Sequence, residues 1–485
     1  MRQEQSNEIQ EISSSLFINQ KSKYAFVSVL ISGIFYYWWI ASYGTFELKN
    51  LADDGRAYYF SESMFQMLHG RLDIPLHFLV AGDLVKNTGE CLIYGNKCFA
   101  YYGITPSLLR LPFFVFGSDF ARNIGSGTAM IIQIPFLFLA SVTLIRTVIR
   151  DLLGKKLDLT QSLMLATCIV FGPQIFLFTR TYLYEEAILV AIIFFLATLN
   201  YLLKFHLTKN EQYLYVGIIL MGFTLNARVS EGFALIPLIV VLLFKHISEQ
   251  ETLVIKTRKV FSIGFALILS AGTLIGVNIS KFSHWAPDLT NHHGGTYLNP
   301  ARHEFYLKWG VFDLKRGFET LLTWLLPNTR NWPSDITYTP GNYRANFHVF
   351  SIENLSTEQT EGFVSLPVVY PFTCMLVVIG LIVLIKTLKQ NFFLALIAMT
   401  TLLAMFITSS VIAQTLRYGA EIFPFFLLVS AIGILTVKSN PKINVLFLII
   451  LLFQIYCSYT TSINFWNSQN QPDVPIQFYQ LPGAK

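Results

Sequence analysis

Two adjacent carboxylates and an arginine, Asp53, Asp54 and Arg56, stand in the stretch LADDGRAYYF directly after a long apolar run. Further along, charges interrupt apolar sequence in FLFTRTYLYEEAILV, LNARVSEGFALIP and AQTLRYGAEIFPFF, which supply Arg180, Glu185, Glu186, Arg228, Glu231, Arg417 and Glu421. Charges in such surroundings are costly and tend to face a cavity or each other. Carboxylates with arginines are what group transfer from a phosphate carrier requires. The phosphate already leaves well, so its departure needs cationic stabilisation, and a guanidinium fork binds its oxygens at two points. The attacking hydroxyl needs one carboxylate as general base. One base without a nucleophile implies single displacement with inversion, in contrast to the two-carboxylate hydrolase plan.

On this reading Asp54 is the base and Asp53 orients it or binds the acceptor. Asp54 can also cap a helix, because Ala57, Phe60, Met64, Met67 and Leu68 recur at helical spacing before Gly70. That predicts an amphipathic helix lying on the membrane surface. A cap needs one aspartate, and here there are two beside an arginine. Arg417, followed by Tyr418, is the leading phosphate ligand. Arg228 and Glu231, three residues apart, read either as an ion pair within the membrane or as substrate contacts. Arg180 with Glu185 or Glu186 has the same two readings, Arg56 is a weaker candidate, and Arg110 reads as an interface marker. His292 and His293 cannot share one helix face, and no Cys or carboxylate cluster has ligand spacing, so no metal site is assigned.

These residues need a scaffold, and the composition names it. The 485 residues are 53% hydrophobic and only 13% charged, against about 25% charged in a soluble chain. The mean hydropathy is +0.51. The chain is predicted to be an all-α polytopic membrane protein, with the modest +6 charge reflecting topology and not a nucleic-acid footprint. About eleven apolar runs fall at 24–46, 124–145, 161–178, 183–203, 212–225, 232–244, 260–280, 367–385, 391–411, 418–437 and 443–463. Residues 1–23 form a polar tail, and the first run is too long for a signal h-region, so it is expected to remain as an anchor. The stretch PSLLRLPFFVFG at 106–117 is too short to span and reads as interfacial or re-entrant.

Lys and Arg concentrate in RTVIRDLLGKK, KFHLTK, KHISEQETLVIKTRK, KTLK and KSNPK. The positive-inside rule places these loops, with the N-terminal tail, in the cytoplasm. The other set is then extracytoplasmic: a first outer loop at 47–123, a long loop of short helices and turns at 281–366, and the tail at 464–485. The membrane modules are 24–280 and 367–463. The costly charges fall on the outer side, which suggests one site there. Cys91 and Cys98 share the first outer loop and could pair if it faces an oxidising compartment.

The run DGRAYYFSESMFQMLHGRLD (54–73) after the first apolar helix resembles the first outer loop of the GT-C superfamily of integral-membrane glycosyltransferases. YYGITPSLLRLPF (101–113) is similar to the second juxtamembrane element of that loop in its lipid-sugar-dependent members. TLRYGAEIFPFFLL (415–428) resembles the Arg-Tyr start of a late helix, and RTYLYEEAI (180–188) and NARVSEGFALIP (226–237) look like outer ends of middle helices. The resemblance covers most of 24–280 and 367–437. It implies an inverting transferase that moves a sugar from a polyprenyl-phosphate carrier to an envelope glycan, lipid or protein, with its site outside a bacterial inner or plasma membrane. Its partners are then membrane lipid and the lipid-linked donor. No cofactor is assigned, and a divalent metal stays open because some members use one and others do not. One departure stands out. Aminoarabinose transferases carry a lysine beside the proline of the second element, where Ile104 and Thr105 precede Pro106 here. Phosphate contact then falls to arginines. Two rival readings are a lipid-carrier-dependent envelope polymer ligase or polymerase working from 281–366, and a transporter or flippase, which predicts repeats and charges near the midplane.

Overall fold

A computed structural model describes residues 15–42, 44–46, 58–75, 91–94, 97–100, 102–179, 181, 183–248, 253–293, 300–325, 358–359, 365–411, 413–414, 416–437 and 441–469. The chain opens with α1 (Gln20–Ala41) and α2 (Tyr59–Leu68), followed by β1 (Asp73–Ile74), β2 (Cys91–Tyr94) and β3 (Lys97–Ala100). Helical turns at Thr105–Leu108, Leu111–Phe116 and Ser118–Arg122 lead to α3 (Ser126–Arg146), α4 (Leu159–Val170), α5 (Leu183–Thr208), α6 (Glu211–Leu225), α7 (Val229–Ser248) and α8 (Leu253–Phe282). The long loop contributes α9 (Pro300–Trp309), α10 (Leu314–Leu325) and β4 (Glu358–Gln359). Then come α11 (Pro371–Lys386), α12 (Phe392–Ser409), β5 (Ala413–Gln414), a 3-10 segment Leu416–Ile422, α13 (Phe423–Ile434) and α14 (Pro441–Gln469).

Among the described residues, nine helical segments are long and apolar enough to cross a membrane, and Glu211–Leu225 and Pro371–Lys386 are shorter apolar helices. Together they coincide with the eleven predicted runs. The first starts earlier than its apolar window, because the Asn19 side chain accepts a hydrogen bond from Ser22 N at 2.9 Å and caps a polar first turn. α4 begins with a capping box between Asp158 and Gln161, and the Gln161 amide also reaches the carbonyls of Ile434 and Val437 at the end of α13. α11 and α13 cross backbone to backbone. A Cβ at Gly380 would meet the Val429 carbonyl, and one at Gly433 the Leu376 carbonyl. Small residues at a crossing are how membrane helices approach closely without a hydrophobic drive between them.

The first outer loop departs from expectation. α2 ends as predicted at Gly70, whose φ of +72° suits a glycine. Its N-cap is Tyr58, whose side chain makes no capping hydrogen bond; Asp54, the expected cap, lies outside the described residues. Nor does α2 lie flat on a surface. Tyr59, Phe60, Ser61, Glu62, Ser63, Met64 and Gln66 are all buried, because β1 and the turns at 105–108 and 118–122 pack around the helix. β1, β3 and β2 form a three-stranded antiparallel sheet in that order, with Ile93 opposite Cys98. Cys98 is disulfide-bonded, whereas Cys168, Cys374 and Cys457 are free.

Candidate functional site

The start of α5, α7 and the 416–422 segment, the end of α6 and α12, and the turn at 105–110 meet at one end of the bundle. The basic residues Arg150, Lys155, Lys204, Lys209 and Lys386 stand at the other ends of these helices or their neighbours. Alternation of helix direction is what separates the two sets.

Arg110 is fully buried and donates through Nη2 to Glu186 Oε2 at 2.8 Å and through Nε to Ser61 Oγ at 3.1 Å. Gln133 Nε2 reaches the other Glu186 oxygen at 3.4 Å, and Ser61 donates onward to the Ile124 carbonyl. Arg110 is therefore buried in the protein and not an interface marker; it locks the loop before α3 to the start of α5. Gly103 makes the neighbouring contact. A Cβ there would strike the Asn226 carbonyl, which instead accepts from Thr105 N at 2.9 Å.

Arg417 donates to Glu185 Oε1 at 3.2 Å and lies 4.1 Å from the centre of the Tyr184 ring. Arg228 sits 2.6 Å from Glu421 Oε1 and 3.6 Å from Glu231 Oε2. Its guanidinium lies 4.7 Å from the Tyr418 ring centre, and that of Arg417 lies 5.8 Å from the same ring. The Thr408 hydroxyl donates to Glu421, and Ser230 Oγ donates to Glu231 at 2.6 Å. Glu185, Glu186 and Glu231 occupy first helical turns, where the helix dipole favours negative charge. Cation–aromatic stacking contributes on the order of 1–2 kcal/mol where water is excluded.

The sequence pairs Arg180 with Glu185 or Glu186, but Arg180 lies outside the described residues, as do Asp53, Asp54 and Arg56. The partners found for those glutamates are Arg417 and Arg110, 232 and 76 residues away. Sequence reasoning also passed over Lys281 at the end of α8. It is buried and donates to the Tyr102 carbonyl at 3.3 Å, and the Tyr102 ring meets Tyr184 edge-on at 5.3 Å. The ion pairs join three arginines (Arg110, Arg228, Arg417) to four carboxylates (Glu185, Glu186, Glu231, Glu421), and Lys281 connects to them through Tyr102 and Tyr184. Its signal was a lone lysine closing an apolar run. Beside this cluster, Glu62 binds Arg122 at 2.9 Å and Gln66 at 2.7 Å, fixing α2 from its other side.

Exposure divides the arginines. The Arg110 side chain is 1% accessible, whereas those of Arg417 and Arg228 are 10% and 14% accessible. Arg110 is walled in as framework. Arg417 and Arg228 share Tyr418 and are somewhat less enclosed than Arg110. His292 stacks on Tyr94 at 3.8 Å, and no group of three His, Cys, Asp or Glu side chains that could hold a metal occurs among the described residues.

No protein-family model and no curated protein sequence matches this chain. Solved structures do. The apo crystal structure of the oligosaccharyltransferase of Archaeoglobus fulgidus superposes with a TM-score of 0.51 at 14% identity, over 92% of this chain and 56% of that one. A second structure superposes with a TM-score of 0.48 at 11% identity over the same shares: the archaeal oligosaccharyltransferase AglB from Archaeoglobus fulgidus, in complex with an inhibitory peptide and a dolichol-phosphate. The chain thus spans little more than half the length of either match. The superposition of nearly the whole chain on the apo enzyme shows the fold: an integral membrane protein whose helices are arranged as in that oligosaccharyltransferase.

Proposed function

We propose that this protein transfers a sugar, with inversion, from a polyprenyl-phosphate carrier to a hydroxyl-bearing acceptor of the envelope on the extracytoplasmic side. One observation carries the reading: Arg417 and Arg228 stand over a single tyrosine ring at one end of the bundle, both partly accessible and each held by a glutamate. Two forked cations side by side match the several oxygens of a phosphate monoester. The fold shared with an oligosaccharyltransferase supports the reaction class.

In the reaction, the Asp54 carboxylate takes the proton of the acceptor hydroxyl as that oxygen forms its bond to the anomeric carbon. The bond between that carbon and the phosphate oxygen breaks, and the oxygen leaves with the electron pair. Arg417 and Arg228 stabilise the charge that develops on the phosphate. Tyr58 caps α2, and the four residues from Asp54 to that cap span about 14 Å at most. α2 is itself tied to the cluster through Ser61, which accepts from Arg110.

Asp54→Asn tests the reading, with turnover followed as loss of a labelled polyprenyl-phosphate sugar from membranes that contain the protein. Transfer should disappear while membrane insertion persists; wild-type turnover would remove Asp54 from the mechanism. Arg417→Ala should weaken use of the donor, and unchanged donor dependence would take Arg417 out of the site. The polymer ligase reading draws on a different observation, the docking of the long outer loop on both the first outer loop and the 410–419 segment. It predicts that chemistry follows substitutions in that loop and ignores Asp54→Asn.

A further inference from the structure

The segment Leu416–Ile422 carries Arg417, Tyr418 and Glu421 within one 3-10 stretch. Such a stretch has poorer hydrogen-bond geometry than an α-helix and does not by itself fix side chains to the tolerance that a phosphate site needs. It packs on the Pro173–Phe178 turn and on the ends of α12 and α13, and the long outer loop closes over it from a further side. α10 is seated on the end of α12: Asp313 N donates to the Ser410 carbonyl at 2.9 Å, and the buried Arg316 donates to the same carbonyl at 3.3 Å. A Cβ at Gly317 would collide with Ser410 Oγ and come within 3.0 Å of the Phe406 carbonyl, so the two backbones touch. Phe312 bridges to Val411, and β4 pairs in parallel with β5 just before the 3-10 segment.

From this seat the last turn of α10 delivers Trp324. Its side chain is fully buried, and it covers Gly419, the residue directly after Tyr418. A Cβ on Gly419 would stand 2.6 Å from Trp324 Cζ3 and 3.0 Å from Cη2. The indole therefore rests directly on the backbone that carries the shared tyrosine. The start of the same loop grips the other half of the site: His293 bridges to Leu92, and His292 Nδ1 donates to the Ile93 carbonyl at 2.9 Å.

We propose that Trp324 is a positioning residue, whose indole, packed on Gly419, holds the 416–422 backbone so that Arg417 and Arg228 share Tyr418 and can take one phosphate between them. The inference rests on the phosphate-site reading above and adds what sets its geometry. It also gives the long outer loop a role, that of tying the arginine side of the site to the first outer loop.

The test uses the full chain in lipid nanodiscs, a short-chain polyprenyl monophosphate as probe, and thermal unfolding as the folding control. Gly419→Ala should weaken probe binding on the order of tenfold or more, as sub-ångström to ångström displacements of binding groups do, with the melting temperature near that of wild type. Trp324→Leu, which removes the atoms that the new methyl would strike, should weaken binding by itself. It should also restore much of the affinity lost in Gly419→Ala. Additive losses in the double variant, or wild-type affinity in Gly419→Ala, would overturn the positioning role. Should Gly419→Ala fail to fold, Trp324→Leu carries the test alone, and undiminished affinity at a native melting temperature overturns the proposal. Arg417→Ala separates the two layers. If it abolishes binding while both packing variants bind normally, only the positioning role falls; if it binds the probe as wild type, the phosphate site falls and the positioning role with it.

Discussion

Arg110 and Glu186 provide the sharpest test of which charges are framework. Both are buried, and each has its main partner in the other. Glu186→Leu would strand a guanidinium that cannot shed its proton. Only the Ser61 hydroxyl would still accept from it, and Nη1 already has no hydrogen-bond partner. Breaking a buried pair from one side costs about 3–5 kcal/mol. Arg110→Met leaves the Glu186 carboxylate with the Gln133 amide as its remaining donor, and it should also destabilise the fold by about 3–5 kcal/mol. The double variant removes both charges and forfeits the Ser61 and Gln133 hydrogen bonds, about 1 kcal/mol each. It should be more stable than Glu186→Leu by about 1–3 kcal/mol, the difference between the two figures. The assay is equilibrium unfolding in mixed detergent micelles, with Arg417-dependent binding of polyprenyl phosphate as the functional readout. A double variant as unstable as the sum of the singles would refute the buried-pair reasoning. Loss of probe binding in a stably folded double variant would show that Arg110 touches substrate and is more than framework.

Other consequences follow from single contacts. The hydrogen bond from Arg71 holds the Asp73 carboxyl below its usual range, against the opposing effect of partial burial. The folded value is lowered, so this contribution to holding β1 is present above about pH 4 and is lost as pH falls below it; amide protection at Asp73 and Ile74 should drop across that window, and an Asp73→Asn protein with the same pH profile would remove the carboxyl from the account. Gly433→Ala should force α13 off the Leu376 carbonyl and lower stability by about 1–3 kcal/mol, read by thermal unfolding; an unchanged melting temperature would contradict the backbone contact. Lys281→Met should release the Tyr102 carbonyl and loosen Tyr102 against Tyr184, weakening retention of the anionic probe, and unchanged retention would take Lys281 out of the site.

The long apolar runs were legible because a membrane helix satisfies its backbone internally and needs little beyond length and hydrophobicity. All eleven coincide with helices, and the GT-C resemblance read from the loop and helix-end motifs agrees with the fold. Their alternation also put Glu185, Glu231, Arg417 and Glu421 at one end, since direction reverses with each span. The chain could not show who meets whom. Arg228 and Glu231 are visible as a pair because i,i+3 neighbours share a helix face, yet Glu421, 193 positions from Arg228, comes closer, at 2.6 Å against 3.6 Å. Arg110 looks like any interfacial arginine in RLPFF, and only the docking of the first outer loop on α5 buries it. Helical periodicity is local and fixes which residues share a face. Contacts between faces depend on helix crossings, such as the one at Gly380 and Gly433, and on where a loop can settle, as Gly103 on Asn226 and Trp324 on Gly419 show. The sequence by itself determined the kind of residues and the end of the bundle where they gather; the tertiary structure decided which arginines are sealed as framework and which two are less enclosed around Tyr418.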